Sequence, residues 1–332
     1  MKLHTNIQDF IELIRLSAAH FHILPEFIEK DYWITLILNR LSQSSHTDSV
    51  VFKGGTSLTK GYRLNNRFSE DIDIALLDEK LTGNALKTKI RKIEKIITSD
   101  LTEIEEPGVT RKGSVYRKSL FQYPSNVNSR LFNNIQKRII VEINSFANPY
   151  PFVQQKITSF IAEFLTATNQ MEVIQEYGLQ YFSLNILDKR RTMLEKLVSL
   201  IRFSFAENPS HELAKKIRHF YDLYYLANDE ECVKYIQSPK FQKDLSELLA
   251  HDQQEFDEPQ GWQTKTVEDS PLITDFPTLW TNLRSIYQVE LTPLAFSEIP
   301  DEKLVAESFM RIIVNFLKLK SVPTTPSPPT HS

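Results

Sequence analysis

The sequence predicts an α/β (α+β) fold: a small mixed sheet followed by a mainly helical C-terminal part. Three observations predict it. Val51 to Leu58 reads as a short strand, a glycine turn and a helix start, and Phe68 to Leu76 reads as a second strand. Lys137 to Asn144 has the β-branched enrichment of a buried strand. Beyond Pro149-Tyr150-Pro151, strand signals fade and apolar residues recur at helical spacing. Those prolines set the expected organisation: a domain over 1–150 that includes N-terminal helices, a helical domain over 151–320 and a tail over 321–332.

In chain order, Ile7, Phe10, Ile11 and Ile14 recur as one face of a first helix, and Pro25 suits the first turn of a second helix running to about Leu41. Asn84 to Ile97 is helix-like, and Ser114 to Tyr123 is strand-like within a basic run of Arg111, Lys112, Arg117 and Lys118. In the second half, Leu194, Leu197, Ile201 and Phe205 form one helical stripe. Ile217, Phe220, Tyr221 and Tyr224 form another. From Glu230 to about Glu268 the chain is charged and weakly patterned, and Pro271 to Pro293 is expected to pack on the helical half. Val305 to Lys318 predicts a terminal helix. The tail, rich in Pro, Ser and Thr, has nothing to bury and is expected to be disordered. There is no internal repeat.

Composition bounds the function. The 332 residues are 41% hydrophobic with 21 Phe and 12 Tyr, enough to build substantial cores. Cys232 is the only cysteine, which excludes a disulfide framework and a cysteine metal site. No signal-peptide pattern or long apolar run is present, so a soluble, cytoplasmic protein without a membrane partner is expected. The net charge of −3 means that any nucleic acid must be held by a local basic patch. Glycine is scarce, eight in all, yet Gly54, Gly55 and Gly61 fall within one short segment.

That segment carries the chemistry. Side chains alternate across a strand, so Asp71 and Asp73 share one face and Ile72 and Ile74 the other. Adjacent carboxylates repel each other unless a cation relieves them, and a hard ion with oxygen ligands, Mg²⁺, suits that role. Gly54-Gly55 allows a tight turn and close approach to a phosphate, and Ser57 adds a hydroxyl. Alone, a Gly-Gly pair is a turn and an Asp-x-Asp is a solvated edge. In this order they form a phosphate cradle and a metal seat, the parts of a nucleotidyltransferase.

Lys53-Gly54-Gly55-Thr56-Ser57-Leu58 with Ser69-Glu70-Asp71-Ile72-Asp73 resembles the signature of the AbiEii/AbiGii toxin family, within the DNA polymerase β-type nucleotidyltransferase superfamily. The resemblance runs from Glu29 to Leu226. It implies a polymerase β-like core, with Lys53, Gly54, Gly55, Thr56 and Ser57 at the nucleotide. Asp71 and Asp73 would be metal ligands. Glu142, the odd residue in its apolar strand, is either an edge carboxylate turned to water or the third acid of the triad, which would hold two Mg²⁺ ions. Glu29-Lys30-Asp31 is either a solvated face or a buttress of the site, with Lys30 near nucleotide phosphates.

Lys196 lies off its helix's apolar stripe and by itself reads as solvated, and Arg218 with Asp222 reads as a helical ion pair. Arg191-Thr192-Met193-Leu194-Glu195-Lys196-Leu197 and the Arg218-His219 to Leu223 element resemble family elements. That implies Lys196 on the phosphates and Asp222 completing the site. The implied activity is a toxin of a toxin–antitoxin or abortive-infection system that transfers NMP from an NTP to an acceptor hydroxyl, the tRNA 3′ end, with a cognate antitoxin as partner. Arg111 to Lys118, Lys137-Arg138 and Lys189-Arg190-Arg191 would supply an RNA patch, or are solvated faces. The competing readings are modification of a small-molecule or protein hydroxyl, and a non-catalytic regulatory module.

Overall fold

The structure is a computed structural model; it describes residues 1–77, 81–125 and 137–320, the side chains at 319 and 320 excepted. The tail expected to be disordered lies outside the described residues. The chain divides into two compact units, Met1–Asp188 and Lys189–Ser332.

The first unit is built on one mixed sheet. Its strands are β1 (Val50–Lys53), β2 (Asp71–Leu76), β3 (Thr102–Ile104), β4 (Arg111–Lys112), β5 (Tyr116–Gln122), β6 (Arg138–Asn144), β7 (Phe152–Ile157) and β8 (Phe182–Leu187). Their order is β3-β5-β6-β2-β1-β8-β7, with β4 paired to β5. β1 with β8 and β2 with β6 are parallel, and the remaining pairs are antiparallel. The mixed sheet is the fold class expected. β7 and β8 were not anticipated: both fall beyond Pro151, where helix was expected, and both belong to the same sheet and the same unit.

The helices of this unit are α1 (Ile7–Phe21), α2 (Pro25–Ser42), α3 (Gly54–Lys60), α4 (Gly83–Ile97), α5 (Phe160–Ala167) and α6 (Met171–Tyr177). Asn6 caps α1 by accepting from the Asp9 N–H, and Pro25 opens α2. α2 is buried around its whole circumference and packs on α1, α4, α5 and β8. It is therefore a core element rather than an amphipathic surface helix. On β2 and β6, Ile72, Ile74, Ile139, Val141 and Ile143 are fully buried, which turns the alternate residues to the opposite face.

The second unit is helical: α7 (Lys189–Phe203), α8 (Pro209–Ala214), α9 (Ile217–Asn228), α10 (Glu230–Ile236), α11 (Pro239–Glu255), α12 (Pro271–Thr274), α13 (Phe276–Leu291) and α14 (Glu302–Lys320). The charged stretch after Glu230 is thus helical as far as Glu255, started by Asp229, whose carboxylate accepts from the Cys232 N–H. α13 packs against α8, α9 and α14, placing Phe220 among Phe276, Trp280 and Phe309. Among the described residues no helix is long and apolar enough to cross a membrane.

Candidate active site

The strand register assembles the site. β2 runs between β1 and β6, so Asp73 stands opposite Lys53 on one side and Glu142 on the other. Glu142 in turn stands opposite Lys118 on β5. Lys118, Glu142, Asp73 and Lys53 therefore form one row across four strands, two carboxylates between two ammonium-bearing residues. Asp71 lies on the same face, one side-chain repeat from Asp73. The sequence had placed Asp71 and Asp73 on one strand face. The pairing register adds Glu142 to that face and brings in Lys118.

The glycine turn lies against this row. Gly54 has φ +79°, a left-handed conformation that penalises a side chain, and it opens α3 directly after β1. A Cβ added there would lie 2.9 Å from Asp73 Cγ and closer still to Oδ2, so the carboxylate occupies the space a side chain would fill. Thr56 Oγ1 donates to the Asp71 carbonyl, tying α3 to the start of β2. Ser57 is fully buried and its hydroxyl donates to the Gly54 carbonyl at 2.8 Å. Ser57, expected at the nucleotide, therefore braces the turn in this structure.

Glu142 is held at both oxygens. Lys118 Nζ is 2.7 Å from Oε1, and the Tyr116 hydroxyl donates to Oε2 at 2.8 Å. Burial works against the Lys118 ammonium, but the bond and charge of Glu142, with the charges of Asp71 and Asp73, outweigh it and hold the pKa above the ordinary lysine value. Burial, then the Glu142 carboxylate, pushes the Tyr116 phenol up. Among the described residues, no three His, Cys, Asp or Glu side chains are gathered into a metal cage. The donor chemistry nevertheless suits a hard divalent cation: oxygen ligands from Asp71 and Asp73 on one face, with the side chain of residue 54 omitted beside them.

Helix α2 fixes both halves of the motif from behind. Glu29, Lys30 and Asp31 are buried, with Lys30 wholly inaccessible, which excludes a solvated face. Lys30 Nζ is 2.8 Å from Glu70, the residue before Asp71, and burial lowers its pKa against the pull of that partner. Asp31 accepts from Lys60, the last residue of α3, at 2.6 Å and from the Phe160 N–H at 2.9 Å. Lys60 also donates to the Thr158 carbonyl. Glu29 accepts from the Ser125 hydroxyl at 2.7 Å. Three consecutive charges thus hold four separate segments, at Ser125, Glu70, Lys60 and Phe160. The Lys30 ammonium, expected near phosphates, is on Glu70, the residue before Asp71.

Lys196 and Asp222 belong to the second unit. Lys196 Nζ is 2.8 Å from Asp222, and both are buried, Asp222 completely. Lys196 is thus not the solvated lysine its position off the stripe suggested; its partner comes from α9. The basic clusters expected to meet RNA are largely engaged. Arg117 pairs with Glu94 and Glu103, Lys112 with Glu103 and Glu105, Arg138 with Glu106, and Lys189 with Asp229 and Glu231.

A glycine turn set against a strand with alternate aspartates, with a third carboxylate in register on the neighbouring strand, defines a nucleotidyltransferase. A family model described as "Nucleotidyl transferase AbiEii toxin, Type IV TA system" matches residues 36–302, and the chain belongs to that family. The solved structure of MenT4, a nucleotidyltransferase toxin from Mycobacterium tuberculosis H37Rv, is similar at 18% identity and a TM-score of 0.46, over 92% of this chain and 98% of that one. No curated protein matches.

Proposed function

We propose that this nucleotidyltransferase toxin acts with Mg²⁺ and transfers NMP from an NTP to a hydroxyl, with the tRNA 3′ end as acceptor. The observation that carries the reading is the row of Lys53, Asp73 and Glu142 with Gly54 against Asp73. Asp71 and Asp73, joined by Glu142, would hold Mg²⁺, which when bound supplies charge neutralisation on the triphosphate. The backbone of Gly54 and Gly55 would approach the phosphates, with Lys53 beside them as a point charge. The acceptor oxygen attacks the α-phosphorus, the bond to the β-bridging oxygen breaks, and pyrophosphate leaves. The hydroxyl proton passes to a carboxylate of the row, Glu142 in this reading. The first unit would carry these groups, and a cognate antitoxin would restrain the protein.

A second acceptor class, a small-molecule or protein hydroxyl, is favoured by one observation: the basic clusters are paired with acids within the fold. The test is transfer of label from each α-³²P NTP, with Mg²⁺, into the RNA, protein and small-molecule fractions of a cell extract. Labelled RNA of tRNA size supports the first reading. Label in protein or small molecules alone moves the acceptor to the second.

A further inference from the structure

Lys118 lay outside the functional reading of the sequence except as one member of a basic run. It stands in register with Glu142 on the neighbouring antiparallel strand, on the face that carries Asp71 and Asp73. Its ammonium lies 2.7 Å from Glu142 Oε1, while the Tyr116 hydroxyl donates to Oε2 at 2.8 Å. The lysine is half-buried, so its charge is only partly screened by solvent. An ammonium and a divalent cation need the same carboxylate oxygens, and binding one there weakens binding of the other.

We propose that Lys118 is a positioning residue that acts as the built-in counter-cation of the Asp71–Asp73–Glu142 face, competing with the divalent ion for Glu142 and so setting the metal affinity of the site. The proposal rests on the reading that Asp71 and Asp73 bind metal. Tyr116 orients Glu142 toward Lys118, and the two strands keep the lysine within reach whether or not the ion holds the carboxylate. Such a device limits repulsion among the three acids and makes the metal dissociable. A lysine serving only to hold strands β5 and β6 together would have the opposite signature, since its loss would disorder Glu142 and weaken binding.

The test is Mn²⁺ binding to the full chain by isothermal titration calorimetry, without nucleotide and at fixed pH. Wild type is compared with Lys118→Met, Lys118→Gln, Lys118→Arg and the double variant Asp71→Asn/Asp73→Asn. Both neutral variants should bind about tenfold more tightly, the effect of removing one cation from a carboxylate site, while Lys118→Arg stays near wild type. Gln keeps a donor toward Glu142, so it carries the test if the Met variant fails to fold. Unchanged or weaker binding in the neutral variants, with wild-type binding lost in the double aspartate variant, overturns the role of Lys118 alone. Equal binding by wild type and the double aspartate variant overturns the metal reading and this inference together.

Discussion

Gly54 and Asp73 share one space: a Cβ on the glycine would come within 2.9 Å of Asp73 Cγ and nearer to its oxygen. The two motif halves are therefore one steric unit, although nineteen positions separate them in the chain, about five helical turns' worth of residues. Gly54→Ala should cost about 2 kcal/mol or more through the left-handed backbone and displacement of the carboxylate. Nucleotidyl transfer should fall further than stability predicts. Thermal melting beside an activity assay checks this; an alanine variant with wild-type transfer contradicts the shared space.

Lys30 and Glu70 provide a test of the brace behind the site. Removing Glu70 leaves an ammonium wholly shielded from water, and breaking a buried pair costs about 3–5 kcal/mol. Glu70→Leu should therefore be strongly destabilising, toward the lower end because Glu70 retains some exposure. The double variant Lys30→Met/Glu70→Leu should recover most of the loss. Denaturant unfolding of the two single variants and the double gives the coupling directly.

The Lys196–Asp222 pair separates a structural from a chemical role. Lys196→Met breaks a buried ion pair, with an expected loss of about 3–5 kcal/mol, whereas Lys196→Met/Asp222→Leu should recover most of that loss. If the pair serves the reaction as the family resemblance implies, the double variant stays folded but loses transfer. Retained transfer in a stable double variant assigns the pair to packing of the second unit.

Asp229 predicts a pH dependence. Burial raises its pKa, but the Lys189 bond, the Cys232 N–H and the Lys189 charge outweigh burial and leave it below the ordinary aspartate value. A depressed folded pKa contributes stability that is present above the unfolded value, about 3.9, and is lost as pH falls through the folded one. Asp229→Asn keeps an N-cap acceptor and removes the charge. Its melting temperature should therefore decline less than that of wild type between about pH 4 and 2.

What the sequence carried was local. Period-two alternation placed Asp71 and Asp73 on one face, glycine scarcity marked the turn at Gly54, and the lone carboxylate in an apolar run marked Glu142. The remainder depends on pairing between distant segments. Phe152–Ile157 forms β7, the last strand in the sheet order, and its largely polar outer residues hide the strand pattern. Lys118 reads as surface charge until β5 is laid beside β6, and Lys196 reads as solvated until α9 presents Asp222. The buried run Glu29-Lys30-Asp31 looks like a polar patch because its partners, Ser125, Glu70, Lys60 and the Phe160 N–H, come from separate segments.

We propose that the Asp71–Asp73 face performs the nucleotidyl transfer. The most direct test is pyrophosphate release from NTP, with Mg²⁺ and acceptor-containing extract, by wild type and Asp73→Asn. The asparagine is nearly isosteric and keeps the residue beside Gly54, so the variant should melt near wild type. Its turnover should fall by about 10²–10³-fold or more. A folded Asp73→Asn protein with undiminished pyrophosphate release would place the chemistry elsewhere and contradict the account.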